Sequence, residues 1–193
     1  MIAAPIPSHE PARLAALHRY QILDTFSEPA FDELARLAAY VCRTPIAVIS
    51  FVDSSRQWFK STVGLSFADC PRSEAFCAHT ILGTALFIVE EAAADERFVD
   101  HPWVVDSPFI SFYAGVPLIT PDGQAIGSLA VMDVVPRTLV LALVTTFSMK
   151  GRRALAFVSV VWMRPWRISD AARLDNIASR CSRVTPREAW CLL

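Results

Sequence analysis

Glycine is scarce, with 6 among 193 residues. None of them forms a glycine-rich run of the Walker or dinucleotide type, which excludes phosphate loops built from backbone N–H groups. Long apolar runs are also missing, although 53% of residues are hydrophobic and mean hydropathy is +0.37. The best stretch, Thr138 to Met149, stops at Lys150-Gly151-Arg152-Arg153, short of the roughly 20 apolar residues that a membrane span needs. The opening MIAAPIPSHEPARL has neither a basic n-region nor an apolar h-region, so no secretory signal is expected. His9, His18, His79 and His101 are scattered, with no cysteine at metal-ligand spacing, and no structural zinc is expected. Cys42, Cys70, Cys77, Cys181 and Cys191 are odd in number and irregularly spaced; reduced thiols in a cytoplasm are the expectation. There is no kinase core and no cyclase signature. The chain is expected to bind and sense, without catalysis of its own.

Charge is present but unevenly divided. Up to Pro136 there are 8 Lys+Arg against 16 Asp+Glu; from Arg137 onward there are 10 basic residues, 9 of them Arg, against 3 acidic ones. The later part also holds three of the five Trp and no Gln. Such an asymmetry marks two parts with different histories or different tasks. The reading is a lead-in with one helix over residues 1–26, a single small domain over 27–137, and an atypical basic tail over 138–193.

Along the first part, Ser8 is placed to cap a helix from Ala12 to Tyr20, with Pro11 in its first turn. Ser27 is placed to cap a second, whose apolar stripe is Phe31, Leu34, Leu37, Ala38 and Val41 and which Pro45 ends. IAVISFVD is a β-branched run of strand length, Asp53-Ser54-Ser55 a turn, and Arg56 to Thr62 a second strand stopped by Gly64. Ala68 to Arg72 reads as loop, followed by a short helix from Glu74 to Leu82 capped by Ser73. Leu86 to Val89 is a short strand. Asp95 to Asp106 is a long connection with one helical turn, Asp100 capping and Pro102 in its first turn. Strands over Phe112 to Ile119 and Gln124 to Val134 flank Thr120-Pro121-Asp122-Gly123, a hairpin turn with Gly where positive φ is needed. Helices and antiparallel strands around one core give the class α+β.

Five stretches carry a family likeness: ILDTFSEPAFDELARLAA, PIAVISFVDSSRQWFKSTVGL, PRSEAFCAHTIL, ADERFVDHPWV and FYAGVPLITPDGQAIGSLAVMD. In content, order and spacing they resemble the GAF domains at the front of bacterial sensor histidine kinases and diguanylate cyclases, over about Leu14 to Pro136. The resemblance implies a GAF-like fold: a central antiparallel sheet flanked by helices, with a small-molecule pocket under the segments Phe67 to Leu82 and Asp95 to Phe112. It implies a cytoplasmic sensory domain in signal transduction, acting as a homodimer on a kinase or cyclase output module in cis or in trans. The ligand, and any cofactor, stay unnamed.

Within those segments Arg72 and His79 are candidates to hold an anionic or polar ligand. Trp103 and Tyr113 are candidates to line the site, since each joins an apolar body to a hydrogen-bonding tip. Phe76 and Cys77 complete the candidate set, and Phe59, Phe67, Phe109 and Phe112 add aromatic surface. Cys77 and His79 stand at i and i+2, so on a helix they diverge. Cys77 then reads as a small buried hydrophobe and His79 as a packed residue or pocket hydrogen-bonder. Ala78 separates the Cys and His that bilin attachment uses side by side. Cys70, beside Arg72, is where a cation could lower a thiol pKa, with Asp69 opposing it. Because GAF-like domains include a free methionine sulfoxide reductase, a Cys70/Cys77 redox pair is the alternative function. Asp53 and Arg56 read as turn-stabilising.

In GAF domains of this kind an amphipathic Glu-, Gln- and Leu-rich helix follows the last strand. Here the likeness ends after Val134-Val135-Pro136-Arg137-Thr138-Leu139. The next segment has no sustained heptad and no alternating charge. Arg, Trp, Cys and Ser enrichment is what a GC-rich gene gives out of frame, so the tail reads as out of frame or poorly ordered. The rival is a basic aromatic arm for nucleic acid or an anionic membrane surface, but its Arg residues are dispersed and in no recognisable binding fold. A short helix over Ser169 to Ser182 is expected.

Overall fold

The computed structural model describes residues 1–141, 147–150, 153–156 and 162–164, with side chains through residue 138. Two helices come first: α1, Glu10–Arg19, and α2, Pro29–Cys42. Strands β1 (Ile46–Val52), β2 (Arg56–Val63) and β3 (Asp69–Pro71) follow, then the short helix α3 (Phe76–Thr80). Next come β4 (Phe87–Val89), the one-turn helix α4 (Pro102–Val105), β5 (Phe112–Ile119) and β6 (Ala125–Asp133). The central sheet runs in the order β3-β2-β1-β6-β5, with β4 also paired to β5, and every one of these pairings is antiparallel. This is the α+β, GAF-like architecture that the resemblance implies.

β1 is buried at all seven positions because both of its faces are covered. Ile49 and Phe51 face α1 and α2, packing with Ala16, Leu17, Phe31 and Ala35. Ile46, Val48 and Val52 face the other way, toward α3 and the long connection, in a cluster with Phe76, Cys77, Phe98 and Ile110. A bulge in β2 adjusts the helix face: Ile49 pairs with Ser61 but Ser50 with Phe59. Lys60 and Ser61 then both reach α2, Lys60 Nζ lying over the Phe31 ring and Ser61 Oγ donating to Asp32 Oδ1 at 2.7 Å. The extra residue increases local twist and re-aims side chains. Between β5 and β6, Gly123 takes φ +80°, as the turn chemistry requires. Gly127 is needed for another reason: a Cβ there would lie 2.1 Å from the Ser50 carbonyl oxygen.

Several local expectations are corrected. No serine caps a helix: the caps of α1, α2 and α3 are His9, Glu28 and Ala75, and none makes a side-chain cap bond. Proline in the first turn starts α1 and α2, where a missing N–H costs nothing. α4 is capped by His101, whose ring accepts from the Trp103 N–H, and not by Asp100. α2 ends at Cys42 through left-handed Arg43 (φ 50°) before Pro45 is reached, and it buries Phe31, Ala35, Ala39 and Cys42. Its expected stripe was therefore rotated by about one residue. The loop expected at Ala68 to Arg72 contains β3, paired with β2 through Arg56↔Pro71, Gln57↔Cys70 and Trp58↔Asp69. α1 packs on the sheet: Ala16 and Leu17 are fully buried in one core cluster with Ile49 and Phe51.

Arg137 closes the domain. Its guanidinium pairs with Asp133 and donates to the carbonyls of Cys42 (3.2 Å) and Arg43 (2.7 Å), tying the end of β6 to the C-terminus of α2. Beyond it lie short strands at Thr138–Leu141 (β7), Phe147–Lys150 (β8), Arg153–Ala156 (β9) and Trp162–Arg164 (β10). β8 adds parallel to β5 and β9 pairs with β8, while β7 pairs with β10. The helix expected over Ser169 to Ser182, and Cys181 and Cys191, fall outside the described residues. Among the described residues no helix is long and apolar enough to cross a membrane.

Candidate functional site

The face of the sheet opposite α1 and α2 is roofed by α3 and by the connection from β4 to β5. Its aromatic roof is a continuous stack: Phe76 lies 4.3 Å from Phe98, 5.2 Å from Tyr113 and 4.6 Å from His101, centroid to centroid. Tyr113 and Met132 are directly opposed across β5 and β6. The Tyr113 ring runs along its strand so that its hydroxyl sits over Gly115, where an added Cβ would come within 2.3 Å of it. There it meets Thr80 Oγ1 at 2.6 Å and donates to Cys77 Sγ at 3.3 Å. Burial first, and then the neighbouring Cys77, push the Tyr113 phenol well above its ordinary pKa.

The floor beneath this group holds three polar side chains that periodicity alone does not reveal. Ser50 and Ser128 are directly opposed on β1 and β6. Strand alternation puts Ser50 on the face of Val48 and Val52, and Ser128 on the face of Ala130 and Met132. Gln57, opposite Val52 and next to Cys70 in the ladder, shares that face. Ser50 and Ser128 are 0% exposed and Gln57 is 1% exposed. Among the described residues Ser50 Oγ and Gln57 Oε1 have no hydrogen-bond partner, while Ser128 Oγ interacts with the Tyr113 hydroxyl without reaching full hydrogen-bond geometry. A buried polar atom without a partner keeps its full desolvation cost, about 1–3 kcal/mol each. A polar row thus crosses three strands of an otherwise apolar face and leads toward the Tyr113–Thr80–Cys77 group.

The six ligand candidates divide accordingly. Phe76, Cys77 and Tyr113 share the buried cluster, and Trp103 packs at its border, stacked between Phe59 (6.2 Å) and Phe67 (5.5 Å). His79 is half-buried between Phe87 and Phe98, with Nε2 3.2 Å from the Ile2 carbonyl, and burial lowers its pKa. Arg72 is elsewhere engaged. Its Nη1 donates to Glu10 Oε1 at 2.5 Å and to the Asp53 carbonyl at 3.1 Å. Glu10 is also held by the fully buried Arg13 through two bonds of 2.7 Å. Burial alone would raise the Glu10 pKa, but the two guanidiniums bring it down to about 2. Arg72 therefore fastens the start of α3 to α1.

The Cys70 thiol moves opposite to expectation. Burial, reinforced by Cys77, Glu74 and Asp69, pushes it up to about 12; Arg72 does not counter this because its charge is spent on Glu10. Such a thiol holds almost no thiolate at neutral pH. Cys70 and Cys77 are both free and buried. Phe112 faces α2 rather than the site, clustering with Ala39, Cys42 and Val131. Arg56 pairs with Asp24 (2.6 Å) and Asp69 (3.1 Å), in keeping with a turn-stabilising role. No group of three His, Cys, Asp or Glu among the described residues is arranged to hold a metal.

No family model matches the chain. It is 42% identical over 137 residues to the cyclic di-GMP phosphodiesterase PA2567 of Pseudomonas aeruginosa, a match spanning 71% of this chain and 23% of that protein. Similar solved structures include the GAF domain of an Acinetobacter phosphoenolpyruvate-protein phosphotransferase, at 19% identity over 65% of this chain and 78% of that one, TM-score 0.46. Another is a type II free methionine-R-sulfoxide reductase from Thermoplasma acidophilum, at 9% identity over 55% of this chain and 72% of that one, TM-score 0.45.

Proposed function

We propose that this chain is a sensory domain of the GAF type in bacterial signal transduction. It binds a small molecule on the loop-covered face of its sheet and carries out no catalysis itself. The observation that carries the reading is the buried polar row of Ser50, Gln57 and Ser128 under an aromatic roof, in which Ser50 Oγ and Gln57 Oε1 have no partner among the described residues. A buried polar group that destabilises a fold without a partner is accounted for when a ligand supplies that partner. The identity to a part of a cyclic di-GMP phosphodiesterase supports a regulatory place beside an output module, in cis or in trans, in a cytoplasmic homodimer. Ligand shifts the balance between two arrangements of the segments Phe67 to Leu82 and Asp95 to Phe112, and only a difference in affinity for the two can do so. Arg72 gives that movement a route to α1 through Glu10.

The test is an exchange of segments. Residues 1–137 of this chain replace the matching segment of the Pseudomonas phosphodiesterase, and cyclic di-GMP hydrolysis is measured for the hybrid, the parent and this chain alone. The expected result is no hydrolysis by the chain alone and a hybrid whose rate differs from that of the segment-deleted enzyme. Equal rates for hybrid and deletion would remove the regulatory reading, and turnover by the chain alone would make it an enzyme.

A further inference from the structure

The chemistry of the occupant can be narrowed, on the premise that the loop-covered face is the sensory site. Three basic side chains bordering that face, Arg72, Arg97 and His101, are already matched. Arg72 is held by Glu10 and the Asp53 carbonyl. Arg97 is bound to Asp95 by two bonds of 2.8 and 2.5 Å while lying over the Phe87 and Phe98 rings. His101 uses both ring nitrogens, one accepting from the Trp103 N–H and the other 2.5 Å from the Glu74 carbonyl, which makes it a donor there. That tautomer is neutral. The floor itself is uncharged and of mixed sense: the Ser50 hydroxyl, able to donate and to accept, and the Gln57 amide oxygen, which only accepts, are without a partner, and the Ser128 hydroxyl lies beside that of Tyr113.

An anion entering this face would give up its hydration and find no free cation, a cost far larger than two hydroxyl groups repay. A neutral molecule with one donor and one acceptor loses little and satisfies what is unpartnered. The strand pairings hold the partners in place, since Ser50 and Ser128 are cross-strand neighbours and Gln57 lies diagonal to Ser50. The roof of Phe76 on Phe98 and Tyr113 keeps the occupant small. We infer that the sensory site takes a small uncharged molecule of the primary-amide or alcohol class, bound by Ser50, Ser128 and Gln57, and does not take a cyclic nucleotide or any other phosphate.

The experiment titrates the full chain with acetamide, with its charged isostere acetate, and with cyclic di-GMP, reading tyrosine and tryptophan fluorescence and thermal melting. Acetamide is expected to bind saturably, on the order of millimolar given its four heavy atoms, and to raise the melting midpoint. Acetate is expected at least tenfold weaker, and cyclic di-GMP without effect. Ser50→Ala and Ser128→Ala, alone and together, should each weaken acetamide at least tenfold, and Ser50→Ala should melt no lower than the parent without ligand. Non-saturable acetamide binding, binding unchanged in the variants, or tighter binding of acetate or cyclic di-GMP overturns the inference. Any of these can occur with the segment exchange still giving a regulated hybrid, so the two readings fail separately.

Discussion

On the helix-covered side of the sheet, charged groups leave water together with their partners. Lys60, with no exposed side-chain surface, reaches Glu28 Oε1 at 2.7 Å and lies over two aromatic rings. Glu10 joins Arg13 and Arg72 at the edge of the same side. On the loop-covered side the sheet floor carries no charge, and Ser50 Oγ and Gln57 Oε1 are buried with no partner among the described residues, as Arg13 Nη1 is on the other side. The difference separates two tasks. Paired ions fasten α1 and α2 to the sheet, and breaking one pair strands the other member. Unpaired hydroxyls weaken the empty fold slightly and wait for something to bind them.

The largest effect tests the paired side. Glu10→Ala leaves two guanidiniums buried without their carboxylate, and is expected to cost about 3–5 kcal/mol in urea unfolding. Ser50→Ala, its counterpart on the other face, should not destabilise at all. If both variants lose stability equally, the two faces are not different in kind.

Acid titration follows. Glu10 has a folded pKa of about 2 against 4.5 unpaired, so its contribution, roughly 3 kcal/mol, is complete above pH 4.5 and is lost as pH falls toward 2. His101 is lowered by burial. Its contribution is therefore present at high pH and begins to fall as pH drops below about 6.5. Two separate phases in a melting-against-pH curve are expected. Glu10→Gln should shrink the acidic one, to which Asp95 also contributes, and His101→Gln the one nearer neutrality, to which His79 also contributes.

The two close-packed glycines sharpen the contrast at a smaller scale. Gly127→Ala drives a Cβ into the Ser50 carbonyl and the Phe51 Cα, both backbone, and is expected to cost about 2–3 kcal/mol. Gly115→Ala meets the movable ends of Tyr113 and Thr80 instead. It should cost less than Gly127→Ala and shift the tyrosine fluorescence, because the Tyr113–Thr80 bond must open. The smallest effect has the opposite sign: Ser50→Ala, without ligand, should gain up to about 1 kcal/mol in the same urea assay. A loss there would mean that the hydroxyl has an internal partner.

Much of the fold was legible locally. Phe112–Ile119 occupies the expected strand residue for residue, and the Thr120–Gly123 turn has its positive-φ glycine where expected. Helix caps were less legible. Ser8, Ser27 and Ser73 have the right chemistry, but first-turn prolines and the buried faces of the helices set the starts instead. Arg72 was noted as a free cation because its partner, Glu10, lies 62 residues away in the chain. Ser50 passed unnoticed within an apolar run, since one hydroxyl in IAVISFVD does not disturb a strand pattern.

By itself, then, the sequence determined the α+β class, strands β5 and β6 and the hairpin turn between them, because these follow from propensities and patterns spanning a few residues. Tertiary structure alone decided which polar groups are satisfied. Glu10 meets Arg72, and Ser50 meets Ser128 but no hydrogen-bond partner, only once strands distant in sequence are aligned. Pairing is a property of register and packing, and the local chain carries no record of it.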